Sequence, residues 1–366
     1  MSNEFKNIKK ILVIKLRHIG DVLLITPAIR MLKDAFPDAR ITALVNSGTE
    51  DALKDNPLIA EVLSIDRSIL KQPLLPRARY EFYFVKKLRE QGFDMAIDLT
   101  GGDRPALYSF LSGARYRIGH EQAEGFAGKK FLYTHRFSID RDKHTVLQNL
   151  ELLERAGIKV GDRRGGACPR PPLAVDFYIP EQDEEWLKNI LREKGVREQD
   201  IIVHIHPTSR WLFKCWKDEA VADVIDRIQE QYKAKVIVTC SPDKREMDKA
   251  NRIIGFVKNK PISFIGNIDL KKLGAISKRA RLFFGVDSAP MHIAAAVNTP
   301  VVALFGPSGA FHWGPWENEY EGQENPYNKK CIPCGKDGCD GNKVSDCLED
   351  IGVDEVMEII ERYLKR

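Results

Sequence analysis

No stretch of this sequence approaches the roughly 20 consecutive apolar residues that a membrane-spanning helix requires. The first residues, Met1-Ser2-Asn3-Glu4-Phe5-Lys6, lead straight to the apolar run Ile11-Leu12-Val13-Ile14, without the apolar core and small-residue cleavage site of a signal peptide. Both absences point to a cytoplasmic chain. There is no GxGxxG after the first strand and no GxxxxGK[ST] anywhere, so the dinucleotide-fold and P-loop readings lose their usual support. No basic run interleaves with Trp211, Trp216, Trp313 and Trp316, which makes them packing or cleft-rim residues rather than a stacking surface for nucleic acid. Compositional bias is also missing: charged residues make up 30% and hydrophobic residues 43%. These are values of an ordinary soluble globular chain, and they exclude a fibrous or disordered one.

At 366 residues the chain exceeds one ordinary domain and suggests two. Its net charge of +5 is unevenly spread. Residues 1–170 carry 29 Lys and Arg against 21 Asp and Glu, leaving 28 against 31 for the rest. Clusters such as Arg77, Arg79, Lys86, Lys87, Arg89 and then Arg115, Arg117 suit an anionic membrane or substrate, or simply a solvated surface.

Strands alternate with helices throughout. In the first half, strands are expected at Ile11–Lys15, Ile41–Val45, Val62–Ile65 and Met95–Leu99, with helices at Asp21–Ala35, Tyr80–Gln91 and Lys143–Ala156. Residues 163–180, rich in Gly and Pro, read as the interdomain linker. The rhythm then resumes with helices at Glu181–Lys194, Glu219–Gln231, Lys244–Ile254 and Leu270–Lys278, and strands at Ile201–Ile205 and Val236–Thr239. The expectation is α/β, with two parallel sheets covered on both faces.

The most informative stretch is Leu282-Phe283-Phe284-Gly285-Val286-Asp287-Ser288-Ala289-Pro290-Met291-His292, followed by Ile293 to Ala296 and the apolar run Val301 to Leu304. It reads as strand, tight turn, helix, strand. Ser288 can cap the helix, and Pro290 suits a first turn in which its missing N–H would be unpaired anyway. The free amides of that turn and the helix dipole offer a site for an anion such as a phosphate. His292 is either a donor-pocket residue or a side chain packed locally on an alanine-rich helix.

Two further loops follow strands. In Lys15-Leu16-Arg17-His18-Ile19-Gly20-Asp21, the carboxylate of Asp21 is either a helix cap or a general base. In His206-Pro207-Thr208-Ser209-Arg210-Trp211-Leu212-Phe213-Lys214, hydroxyls and a lysine suit a diphosphate leaving group, although each residue also fits an ordinary turn or a surface cation. Asp243, in Ser241-Pro242-Asp243, can contact a ribose or cap the next helix. His204 and His206, alternating at a strand end, are ambiguous.

Together these motifs resemble glycosyltransferase family 9, the lipopolysaccharide heptosyltransferases, and the wording Lys15-Leu16-Arg17-His18 before Gly20-Asp21 is most similar to the heptosyltransferase III branch. The resemblance covers essentially the whole chain. It implies a GT-B fold: two Rossmann-like doubly wound parallel-sheet domains facing a central cleft. The expected boundaries are 1–170 for the acceptor domain and 171–345 for the nucleotide-sugar domain, with a terminal helix at 346–366 packing back on the N-terminal domain. It also implies inverting transfer of heptose from ADP-heptose to a heptose of the lipopolysaccharide inner core, with no cofactor or metal required for catalysis.

Carried over by position, Asp21 is the catalytic base, with Arg17, His18 and Gly20 on the acceptor side. Thr208, Ser209 and Lys214 hold the diphosphate, Lys214 also serving catalysis. Asp243 lies near the ribose, Asp287 contacts the donor sugar, and Ser288, Ala289 and His292 line the donor pocket. Two positions depart from the family pattern: Asp243, where a glutamate in a differently worded loop is commoner, and Ala289, where glycine is. A lipid-linked acceptor further implies peripheral contact with the inner face of the cytoplasmic membrane through the basic N-terminal half.

Four of the seven cysteines, Cys331, Cys334, Cys339 and Cys347, fall close together. In a reducing compartment they read as a structural zinc site or as a reduced, redox-labile cluster. Two other function classes remain open at this level: a catalytically silent nucleotide-sugar or lipopolysaccharide-binding protein, and another GT-B activity such as a nucleotide-sugar epimerase.

Overall fold

The computed structural model describes residues 5–121, 125–159, 173–318, 320–323 and 331–365. Of the expected linker 163–180, residues 163–172 lie outside them. The chain divides into two compact units, Met1–Tyr178 and Ile179–Arg366, so the division falls eight residues beyond the expected one.

In the first unit the elements run β1 (Lys10–Lys15), α1 (Ile19–Leu23), α2 (Thr26–Ala35), β2 (Arg40–Asn46), β3 (Glu61–Ile65), α3 (Leu74–Glu90), β4 (Met95–Asp98), α4 (Asp103–Leu111), β5 (Tyr116–His120), β6 (His135–Phe137) and α5 (Thr145–Arg155). All sheet pairings are parallel, in the order β3-β2-β1-β4-β5-β6. Every residue of β1 after Lys10 is buried, as the apolar run of a strand covered on both faces requires. Leu12, Ile14, Leu44, Ile65, Leu88, Ala96 and Tyr108 form one of its cores.

Three sequence expectations change here. The helix expected over Asp21–Ala35 is two helices. Pro27 has no N–H to give the carbonyl of Leu23, and the Thr26 hydroxyl donates to that carbonyl instead at 3.0 Å, so the chain re-initiates. Helix α3 begins at Leu74, six residues before its expected start. The short elements α4, β5 and β6 were not anticipated. Helix α5 ends as expected: Gly157 adopts φ +78°, and the amides of Gly157 and Ile158 turn back to Glu154 and Leu153.

The second unit repeats the plan with α6 (Glu181–Glu193), β7 (Ile202–His206), α7 (Asp218–Tyr232), β8 (Lys235–Cys240), α8 (Lys244–Phe256), β9 (Ile262–Ile265), α9 (Leu270–Arg279), β10 (Leu282–Val286), α10 (Ala289–Ala296), β11 (Val301–Leu304), α11 (Ala310–Trp313), β12 (Tyr320–Gln323), α12 (Asp346–Glu349) and α13 (Val353–Leu364). Its sheet, also parallel, runs β12-β11-β10-β7-β8-β9. Both units are therefore doubly wound, each reversing direction beside its first strand, between β1 and β4 and between β7 and β10. Such switch points open a crevice at the carboxyl ends of the strands.

Helix α13 joins the core of the second unit, where Val356, Met357, Ile360, Tyr363 and Leu364 are buried among α7 and the strands. The Tyr232 hydroxyl bonds Glu361, and Arg227 pairs with Asp354 at 2.6 Å. Among the described residues no helix is long and apolar enough to cross a membrane.

Candidate active site

At the switch point of the second unit, β7 ends at His206 and hands the chain to Pro207-Thr208-Ser209, while β10 ends at Val286 and hands it to Asp287-Ser288. The two strands approach closely because residue 285 is glycine: a β-carbon there would stand 2.7 Å from the His206 carbonyl oxygen. Thr208 and Ser209 are buried. Lys214 closes a short 3-10 turn, held in place where the Ser345 hydroxyl donates to the Phe213 carbonyl at 2.6 Å.

The ammonium of Lys214 donates to Asp287 Oδ2 at 2.6 Å, and the Ser308 hydroxyl donates to the same oxygen at 2.5 Å. The two charged side chains are only 17% and 9% exposed. Lys214 also lies 5.3 Å from the centre of the Trp211 ring. Next to this pair, Ser288 is the N-cap of α10 in an extended conformation. Its hydroxyl makes no capping bond and is buried without a hydrogen-bond partner among the described residues. Pro290 lies in the first turn, and His292 is buried one residue beyond Met291. A cation, an orphan hydroxyl and the positive end of a helix thus converge, the arrangement that receives a phosphate.

Sequence reasoning missed two residues here. Glu246, in the first turn of α8, is buried and accepts the Thr208 hydroxyl at 2.8 Å. Ser308 lies in the Gly306-Pro307-Ser308-Gly309 turn after β11, a position homologous in plan to the other strand-end loops. Asp243, by contrast, is spent locally. It caps α8 by accepting from the Arg245 amide at 3.0 Å and binds the Arg245 side chain, which holds its carboxyl below the usual carboxylate range.

The ambiguous histidines are structural. His204 bonds Ser277 and Thr239, and His206 bonds the same Thr239 hydroxyl, each at 2.8 Å. Burial pushes His206 down to about 3 and His204 well below its ordinary value, so both are neutral supports beneath the loop.

In the first unit, Arg17, His18, Gly20 and Asp21 occupy the loop and first helical turn that follow β1, beside the β1–β4 switch point. His18, not Asp21, takes the N-cap position of α1, and no side chain caps that helix. Asp21 is half-buried, and its carboxylate makes no hydrogen bond or ion pair among the described residues. Lys15 is buried, donating to the Leu99 carbonyl at 2.8 Å and to Asn149 Oδ1 at 3.2 Å. Burial pushes its ammonium down to about 8, with the charge of Asp21 opposing the shift. Asp98, at the end of β4, accepts from Tyr133 at 2.5 Å and from the amides of Thr100 and Gly101. Burial raises its carboxyl despite those bonds.

The profile of glycosyltransferase family 9 (heptosyltransferase) matches residues 82–344. The chain belongs to this family. Lipopolysaccharide heptosyltransferase 3 of Escherichia coli K12 is 34% identical over 312 residues, which cover 82% of this chain and 83% of that protein. Among solved structures, a family 9 glycosyltransferase from Veillonella parvula superposes with a TM-score of 0.81 at 22% identity, covering 97% of both chains. The E. coli ADP-heptose lipopolysaccharide heptosyltransferase II superposes with a TM-score of 0.74 at 20% identity, covering 97% of this chain and 98% of that one. This family 9 protein is thus a glycosyltransferase of the GT-B class, as its motifs implied.

The zinc expectation does not hold. Cys331 is exposed, whereas Cys347 on α12 is buried in the core of the second unit beside Leu348. Among the described residues no three His, Cys, Asp or Glu side chains come together to hold a metal ion.

Proposed function

We propose that the protein transfers heptose from ADP-heptose to a heptose of the lipopolysaccharide inner core, with inversion and without a catalytic metal, at the inner face of the cytoplasmic membrane. The observation that carries this reading is the convergence of Lys214, Asp287, Ser308 and Ser288 on the start of α10. Inversion in one step needs the acceptor oxygen, the anomeric carbon and the departing phosphate oxygen in line. Negative charge then accumulates on the ADP, where Lys214, the Thr208 and Ser209 loop and the positive end of α10 offset it.

Asp287 is the sugar contact, released to the donor hydroxyls as the Lys214 ammonium turns to the diphosphate. Ser288, Ala289 and His292 border the phosphate. The β-carbon of Ala289 narrows the space between backbone and diphosphate. Glu246, poised on Thr208, is the better placed carboxylate for the ribose, and Asp243 keeps the helix start beside it in shape. In the first unit, Asp21 takes the proton of the acceptor hydroxyl, with Arg17, His18 and Gly20 shaping the loop that presents it. A half-buried carboxylate left unpaired favours this role over that of a silent binding protein. Incubating the protein with ADP-heptose and truncated core acceptors, and reading the products by mass spectrometry, tests the proposal. An acceptor heavier by one heptose supports it, and hydrolysis or epimerisation of the donor without an acceptor refutes it.

A further inference from the structure

Helix α3 of the first unit accounts for only one of its sides. Leu88 is buried in the core, Phe84 meets the Tyr108 ring edge-on at 5.4 Å, and Glu81 pairs with Arg104 at 2.7 Å. The opposite side carries Leu75, Arg79, Phe82 and Lys86 at helical spacing, with Tyr83 beside them. That side should be polar, yet Leu75 is 84%, Phe82 66% and Tyr83 55% exposed. Eight of the thirteen exposed large hydrophobic side chains among the described residues lie between residues 74 and 131, including Leu107 and Phe110 on the neighbouring α4.

The charge on α3 is one-sided as well: five Lys and Arg against two Glu. Cations alternate with the apolar groups instead of forming a rim around them, and Arg79 lies 5.6 Å from the Tyr83 ring centre. Pro76, Arg79, Tyr80, Tyr83, Phe84 and Lys87 line a groove of about 450 Å³ along the helix. A protein interface disfavours lysine at its apolar centre. A lipid surface does not: long basic side chains reach the headgroups while neighbouring apolar groups enter the acyl boundary.

We infer that the outward side of α3 is the membrane-docking surface, that it lies flat on acidic phospholipid, and that Leu75 and Phe82 are its insertion anchors. The helix is about 25 Å long, enough for three turns of contact in the headgroup plane. This rests on the reading of the protein as acting on a lipid-linked acceptor, and it specifies the element that brings the enzyme to that lipid.

Vesicle flotation of the full-length protein tests the inference, using phosphatidylethanolamine–phosphatidylglycerol vesicles and phosphatidylcholine vesicles, with no acceptor or donor present. Wild type should float with the acidic vesicles, less so as salt rises, and remain below with phosphatidylcholine alone. Leu75→Ser/Phe82→Ser, which changes two exposed side chains, should lower partitioning at least about tenfold. Arg79→Gln and Lys86→Gln should each lower it about fivefold. Turnover of a delipidated core oligosaccharide should be unchanged in Leu75→Ser/Phe82→Ser. Failure of wild type to bind acidic vesicles, or full binding by Leu75→Ser/Phe82→Ser, overturns the inference. So does a wild-type dimer in analytical ultracentrifugation that those two substitutions dissociate, because a second copy would then cover the face. If vesicle binding depends on Leu75 and Phe82 but no oligosaccharide is glycosylated, the surface stands and the proposed activity fails.

Discussion

Replacing Lys214 with alanine separates its structural role from the catalytic one proposed for it. In the free protein the ammonium holds Asp287 at 2.6 Å, in a place where both side chains are largely buried. An effective dielectric of about 20 gives such a pair roughly 6 kcal/mol of attraction, most of it offset by desolvation. Removing one member of a buried pair costs about 3–5 kcal/mol because it strands the other charge. Ser308 stays on Asp287 Oδ2, so Lys214→Ala should lose about 3 kcal/mol in urea unfolding. In turnover, the loss of a positioned charge at the leaving group should lower kcat by about 10² to 10³, or about 2.7–4 kcal/mol. ADP affinity measured by calorimetry should fall at least about tenfold. Adding Asp287→Asn removes the stranded charge. The double variant should recover much of the stability and none of the turnover. Recovery of turnover together with stability would show that Lys214 acts only through the fold, and an unchanged kcat in Lys214→Ala would refute the leaving-group role outright.

Further outcomes follow from the same geometry. Glu246→Ala strands the Thr208 hydroxyl and should weaken ADP binding about tenfold, whereas Asp243→Ala should lower stability by about 1 kcal/mol as a lost helix cap and leave ADP binding nearly intact, as paired calorimetry and urea titrations would show. Gly285→Ala sets a methyl 2.7 Å from the His206 carbonyl and should destabilise by about 1–3 kcal/mol, measurable as a lower urea midpoint. His206 has a folded-state value near 3 against 6.5 unfolded, so the unfolded chain binds the proton first. The stability that rests on the neutral ring is complete above pH 6.5 and declines as pH falls toward 3, by about 2 kcal/mol between pH 6.5 and 5. In His206→Gln that slope should be smaller over the same pH range.

Elements bounded by Gly or Pro and carrying a strong period were legible in the sequence: α5 with its terminal Gly157, α6 after Pro180, and β10 to β11 around Pro290. Three short strands were not. Tyr116-Arg117-Ile118, His135-Arg136-Phe137 and Ile262-Ser263-Phe264 mix polarity, the last two at sheet edges and the first beside the three-residue β6. Helix α3 starts before its expected first residue because its first turns place Leu74, Leu75 and Pro76 in the open, where a core-facing period cannot show.

At the site, the residue types at each strand end were legible, since switch-point loops must carry the chemistry. Their pairing was not. Lys214 meets Asp287 across 73 positions and Thr208 meets Glu246 across 38, distances closed only by the strand order β10-β7-β8. The fate of α13 was hidden for the same reason: its amphipathic period shows that one face is buried but not which unit buries it.

The central claim, that Asp21 deprotonates an acceptor sugar while the second unit holds ADP-heptose, is met most directly by comparing wild type with Asp21→Asn in one experiment. The acceptor product is read by mass spectrometry and donor binding by calorimetry. Wild type should add one heptose to a truncated inner-core acceptor, and Asp21→Asn should bind ADP-heptose as tightly yet transfer none of it. An Asp21→Asn protein that transfers heptose at the wild-type rate would contradict the account.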